Sequence, residues 1–97
     1  MVFVDTSAIY AFLASDDVGH SAAVAAWKCF MDEATPLFTS NYVVVESCAL
    51  LQKRLGIGAV RSLLDALLPA IEVQWVTNEA YEFFLRVLGT GQKMQVY

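Results

Sequence analysis

Apolar positions along the chain fall into short blocks, and the period of the pattern changes from block to block. Val2-Phe3-Val4 is an unbroken apolar run ended by Asp5, as in a strand buried on both faces. From Thr6 to Ala14 the pattern turns helical, with Ile9, Tyr10 and Leu13 on one side and Thr6 or Ser7 placed to cap the first turn. Ser15-Asp16-Asp17 breaks that helix. Residues 20–33 then present Ala22, Ala23, Ala26, Trp27, Phe30 and Met31 as one helical face, closed by Thr35-Pro36. Leu37-Phe38-Thr39-Ser40 reads as a second strand. Ser40 or Asn41 caps a helix over 42–55, which ends in Lys53-Arg54 and Gly56, a basic pair at the negative end of the dipole with a glycine just past it. Ile57, Val60, Leu63, Leu64, Leu67 and Leu68 predict one helix over 57–68, with Arg61 and Asp65 paired on its other side. Residues 71–76 alternate apolar with polar, a strand with one wetter face. Thr77-Asn78-Glu79 starts a last helix over 79–88, with Glu82 and Arg86 paired, and Gly89-Thr90-Gly91 stops it.

The order β-α-α-β-α-α-β-α predicts an α/β fold, a parallel sheet flanked by helices on both faces. Residues 1–97 read as a single domain, with 89–97 a divergent tail that includes a weak alternation at Met94 and Val96. Hydrophobic residues make up 58% of the chain, above the ~45–50% of an ordinary soluble domain. In so small a domain that surplus points to a subunit interface. The net charge of −4 excludes a broad basic footprint for nucleic acid. An attraction to RNA or DNA then needs another source, and a bound divalent cation is one. Cys29 and Cys48 form no Cys-x-x-Cys, and His20 is the single histidine, so a structural zinc site is excluded and a reduced, cytoplasmic setting is expected. The N-terminus has no positive region of a signal peptide, and no apolar stretch reaches ~18 residues, so no membrane association is expected.

Two carboxylates stand out. Asp5 follows the first strand directly, at the end where ligands bind in open parallel sheets; a helix cap explains it equally well. Glu46 interrupts Tyr42-Val43-Val44-Val45 and precedes Ser47-Cys48-Ala49-Leu50-Leu51. A carboxylate facing the core there is costly. The bland explanation is an exposed stripe with Tyr42, Leu50 and Lys53, for which Tyr42 and Leu50 are poor choices. From the second turn of its helix, Glu46 is placed to point back over the sheet edge toward Asp5, and two such acids suit Mg²⁺ or Mn²⁺.

Residues 2–13 (Val-Phe-Val-Asp-Thr-Ser-Ala-Ile-Tyr-Ala-Phe-Leu), followed by Asp16-Asp17 and His20, resemble the opening of PIN domains, above all the ribonuclease toxins of toxin–antitoxin pairs. Residues 39–46 (Thr-Ser-Asn-Tyr-Val-Val-Val-Glu), with Leu50-Leu51 and Lys53-Arg54-Leu55-Gly56, resemble the second block of that family, and the resemblance runs to about residue 88. It implies a Mg²⁺- or Mn²⁺-dependent endoribonuclease in which Asp5 and Glu46 are catalytic and hold the metal, and Ser7, with Thr6, helps orient them. It implies RNA as substrate and a small antitoxin protein as partner.

The family pattern asks for a third acid after the 79–88 helix, and no carboxylate follows Glu82. The expectation is a chain shortened at its C-terminus with impaired cleavage. The alternative is a non-catalytic remnant that serves as an oligomerising or binding module. A homodimer or higher oligomer is expected, formed through docking or swapping of the tail. Asp16 and Asp17 read as turn and cap residues and His20 as a packed or capping histidine. Lys53, Arg54 and Arg61 read as solvated, with Lys53 and Arg54 as candidates to contact an RNA backbone. Trp27 and Trp75 read as core or interface residues and not as stacking platforms. An aspartyl-phosphate phosphatase with Asp5 as nucleophile is disfavoured, because Ser7 stands where its second acid belongs.

Overall fold

The computed structural model describes residues 1–89. The elements run β1 (Val2–Phe3), α1 (Thr6–Leu13), α2 (His20–Asp32), β2 (Leu37–Ser40), α3 (Asn41–Arg54), α4 (Ile57–Ser62), a π-helical turn Leu63–Leu67, a 3₁₀ turn Leu68–Ala70, β3 (Glu72–Gln74) and α5 (Asn78–Gly89). The three strands form a parallel sheet in the order β1-β2-β3, the α/β class that the alternation of elements predicts. The expectation about a divergent tail falls beyond Gly89, outside the described residues.

Register fixes what each face of the sheet carries. Val2 pairs with Leu37 and Phe3 with Phe38, while Phe38, Thr39 and Ser40 pair with Glu72, Val73 and Gln74. Side chains alternate along a strand, so Val2, Val4, Leu37 and Thr39 share one face. That face is buried in a core that also takes Ile9 of α1, Val43 and Leu51 of α3, Val60 of α4, Leu63 and Leu67 of the π turn, and Ile71. The opposite face carries Phe3 and Phe38, half-buried and edge to face with ring centroids 5.2 Å apart. Trp27 of α2 packs against Phe12 of α1 at 5.3 Å, which places it in the core as the helical face of α2 predicts.

Local sequence explains most element ends. Ser40 caps α3, its Oγ accepting from the Val43 N–H at 3.2 Å. Past the last turn, Gly56 takes φ +94° and donates its N–H to the Leu51 carbonyl at 2.9 Å, a conformation that a Cβ would strain. The α1–α2 corner is closed by Asp17, whose carboxylate accepts from the Gly19 N–H at 2.9 Å. His20 Nδ1 meets the Ala11 carbonyl at 2.8 Å. Asp17 and His20 thus serve the turn, as expected of them.

Three expectations are corrected. The helix over 57–68 stops being α-helical after Ser62 and widens into the π turn, so Arg61 and Asp65 straddle the junction. The third strand ends at Gln74, not Val76, and Trp75 lies outside the core with 77% of its surface exposed. The caps proposed at Thr6 and Ser7 do not form, because Asp5 takes the N-cap position of α1 and no side chain caps it.

Candidate functional site

Asp5 sits where β1 ends and α1 begins, half-buried, and its carbonyl accepts the first helical bond, from the Ile9 N–H at 3.2 Å. The backbone on each side of it is held by a different element. Thr39 of β2, 0% exposed, donates its hydroxyl to the Val4 carbonyl at 2.7 Å. On the other side, Ser47 of α3, 1% exposed, donates its hydroxyl to Thr6 Oγ1 at 3.3 Å. Ser47 is the residue next to Glu46. Two buried hydroxyl groups therefore fix the position of Asp5, and one of them ties it to the helix that bears Glu46. Among the described residues no buried side-chain nitrogen or oxygen lacks a hydrogen-bond partner.

Glu46 is exposed. The buried stripe of α3 is Val43, Ser47 and Leu51, and Tyr42, Glu46 and Lys53 lie on the solvent side. The expectation that Glu46 bears the cost of burial is thereby corrected: it sits on the exposed stripe. It lies in the second turn of α3, the helix that starts directly after β2. Thr6 is buried and bonded to Ser47. Ser7, expected to orient the first acid, is exposed, so the hydroxyl tied down beside Asp5 is that of Thr6.

Lys53 and Arg54 occupy the last turn of α3, both exposed. The Arg54 guanidinium lies over the Tyr10 ring, 5.6 Å from its centroid, a cation–π contact that joins α3 to α1. Lys53 follows Glu46 by about two helical turns, about 10 Å along the axis.

Thr39, Ser47 and Asn41 carry no chemistry that the apolar pattern alone singles out. Each is a small polar residue inside or beside an apolar run, and that anomaly is the available signal. Asn41 Oδ1 accepts from the Val76 N–H at 2.8 Å, which binds the segment after β3 to the first residue of α3. A divalent cation fits the donor chemistry: Asp5 and Glu46 offer hard carboxylate oxygens, and Mg²⁺ is commonly bound by one or two carboxylates plus water and substrate phosphates. Among the described residues no group of three or more His, Cys, Asp or Glu side chains is assembled for a metal.

A parallel α/β sheet with one acid at the end of the first strand and another in the helix that follows the second defines a recognisable class of protein. The sequence profile of the PIN domain family matches residues 2–88, and the chain belongs to that family. Among solved structures it is similar to Mycobacterium tuberculosis VapC20, a sarcin–ricin loop cleaving toxin, at 28% sequence identity and a TM-score of 0.70, over 89% of this chain and 68% of that one. No curated protein matches it. No helix among the described residues is long and apolar enough to cross a membrane.

Proposed function

We propose that this chain is a metal-dependent endoribonuclease of the PIN type, acting as the toxin of a toxin–antitoxin pair. The observation that carries the proposal is the double anchoring of Asp5: Thr39 holds the carbonyl before it, and Ser47, the neighbour of Glu46, holds the hydroxyl after it. Carboxylates at the carboxyl end of a parallel sheet occupy the position where such folds bind ligands. Asp5 and Glu46 would hold Mg²⁺ or Mn²⁺. When bound, the cation lowers the pKa of a water and offsets charge on the phosphodiester. Thr6 keeps the start of α1 in register with α3, and Ser7 is open to solvent beside it. Lys53 is the better of the two basic candidates for a phosphate, because Arg54 is engaged with Tyr10. Cleavage of the sarcin–ricin loop by VapC20 supports RNA as substrate here, and the toxin kind implies an antitoxin protein as partner, a homodimer and a cytoplasmic setting.

Asp5 and Glu46 are the two carboxylates that these residues would contribute to the cation. The test is metal-dependent cleavage of RNA by the parent chain, by Asp5→Asn and by Glu46→Gln. The parent cleaves in Mn²⁺ and stops in chelator, and each variant falls to background. Equal background in all three, with folding intact, overturns the enzyme reading in favour of a non-catalytic binding module.

A further inference from the structure

The buried stripe of α3 runs Val43, Ser47, Leu51, so its middle place goes to a hydroxyl where an apolar side chain would pack. A serine in mid-helix ordinarily points to solvent or bonds a carbonyl one turn back in its own helix. Ser62 of α4 does the latter, donating to the Gly58 carbonyl at 3.1 Å. Ser47 does neither. It is buried, and its hydroxyl crosses to Thr6 Oγ1 on α1, 3.3 Å away. That length is at the long end for two hydroxyls. A buried neutral pair also adds little net stability, because apolar groups of the same shape serve about as well. Stability therefore gives no account of the pair.

Its place in the chain does. Thr6 follows Asp5 and Ser47 follows Glu46, and consecutive Cα atoms are only about 3.8 Å apart. Each acid is thus one peptide unit from the side-chain hydrogen bond that joins α1 to α3. The same two helices meet again where Arg54 lies over the Tyr10 ring, 5.6 Å from its centroid. That second contact is about one turn further along α1 and two turns further along α3. Contacts at two separate points fix both the slide and the rotation of one helix on the other, and the hydroxyl pair is the one beside the acids.

We infer that Ser47 is a positioning residue for the cation site: through Thr6 it holds the start of α1, and Asp5 with it, at a set distance from Glu46 on α3. The inference rests on the metal-dependent ribonuclease reading. Ser47 acts through Thr6 and needs no contact with the cation.

The test is the Mn²⁺ affinity of the full chain without RNA, read from the electron paramagnetic resonance of free Mn²⁺, alongside urea unfolding in chelator. Affinities are compared where every variant is folded. Ser47→Ala weakens Mn²⁺ binding about tenfold, the lower end of what residues behind metal ligands contribute. It also lowers the urea midpoint, because the buried Thr6 hydroxyl loses its partner. Adding Thr6→Val to Ser47→Ala brings the midpoint back toward that of the parent, since no hydroxyl is then abandoned, while Mn²⁺ binding stays weak. Thr6→Ser, which keeps the hydroxyl, binds Mn²⁺ as the parent does. Leu51→Ala, one turn on in the same stripe, loses stability and keeps the parent's affinity. Parent affinity in Ser47→Ala, with binding abolished by Asp5→Asn, overturns the role of Ser47 and leaves the metal reading standing. Affinity that returns with stability in the double variant, or that falls as far in Leu51→Ala, overturns it in favour of a packing role. Binding that is absent in the parent, or unchanged in Asp5→Asn, overturns both.

Discussion

Replacing Thr39 by valine separates the hydroxyl from the shape of the side chain that carries it. Valine matches threonine closely in volume, so Thr39→Val opens no cavity and removes only the bond to the Val4 carbonyl. That bond is 2.7 Å long and fully buried. A neutral buried hydrogen bond contributes about 1 kcal/mol net, rising to about 3 kcal/mol where the abandoned partner finds no other. The Val4 carbonyl lies at the end of the β1 ladder, so a loss of about 1–2 kcal/mol is expected, with the melting midpoint falling ~4–8 °C per kcal/mol in a domain of this size. Because Val4 precedes Asp5, cleavage per folded molecule falls as well. Leu63→Ala is the control: Leu63 is fully buried but lies in the π turn, so that change costs about 2–5 kcal/mol and leaves cleavage per folded molecule intact. Urea denaturation and a cleavage assay on the same samples read both quantities. A Thr39→Val protein as stable as the parent, or one that loses stability and keeps full cleavage, would refute the idea that this hydroxyl positions the first acid.

Two further outcomes follow from the packing of α3 and the charges around Cys29. Leu51, 0% exposed at the centre of the buried stripe of α3, costs about 2–5 kcal/mol when cut to alanine, checked by the denaturant midpoint. Cys29 is exposed, and the neighbouring Glu33 carboxylate, followed by smaller contributions that include Asp32, raises its thiol above the ordinary value. Less thiolate is then present at a given pH, so Glu33→Gln speeds alkylation of Cys29 near neutrality and moves its pH–rate profile to lower pH. An unchanged profile contradicts that cause.

Much of the fold is legible in the chain because local and tertiary preferences agree. Leu37–Ser40 is a strand with the bounds that its composition predicts, and Ser40 and Gly56 mark the ends of α3 by capping and by positive φ. Agreement fails where packing sets the outcome. The spacing of Leu63, Leu64, Leu67 and Leu68 fits a continuous α-helix, yet the chain takes a π turn that buries Leu63 and Leu67 just before Pro69. Ile71, Val73 and Trp75 alternate as if all faced the core, but pairing with β2 stops at Gln74, and the alternation loses its meaning one residue before Trp75. The position of Asp5 at a strand end is readable. The exposed setting of Glu46 is not, because Tyr42 and Leu50 disguise a solvent stripe and the buried stripe runs through a serine. Ser47 escapes a search for apolar periodicity because it is polar. Its hydroxyl matters through Thr6, a partner 41 residues away.

If Asp5 and Glu46 act on one cation, paramagnetic broadening by Mn²⁺ in the amide spectrum of the full chain reveals it. The signals of residues around Asp5 and around Glu46 are expected to fade together at the same low Mn²⁺ concentration, and Asp5→Asn to protect both regions. Broadening at one acid without the other, or a Glu46 region that still fades in Asp5→Asn, would contradict it.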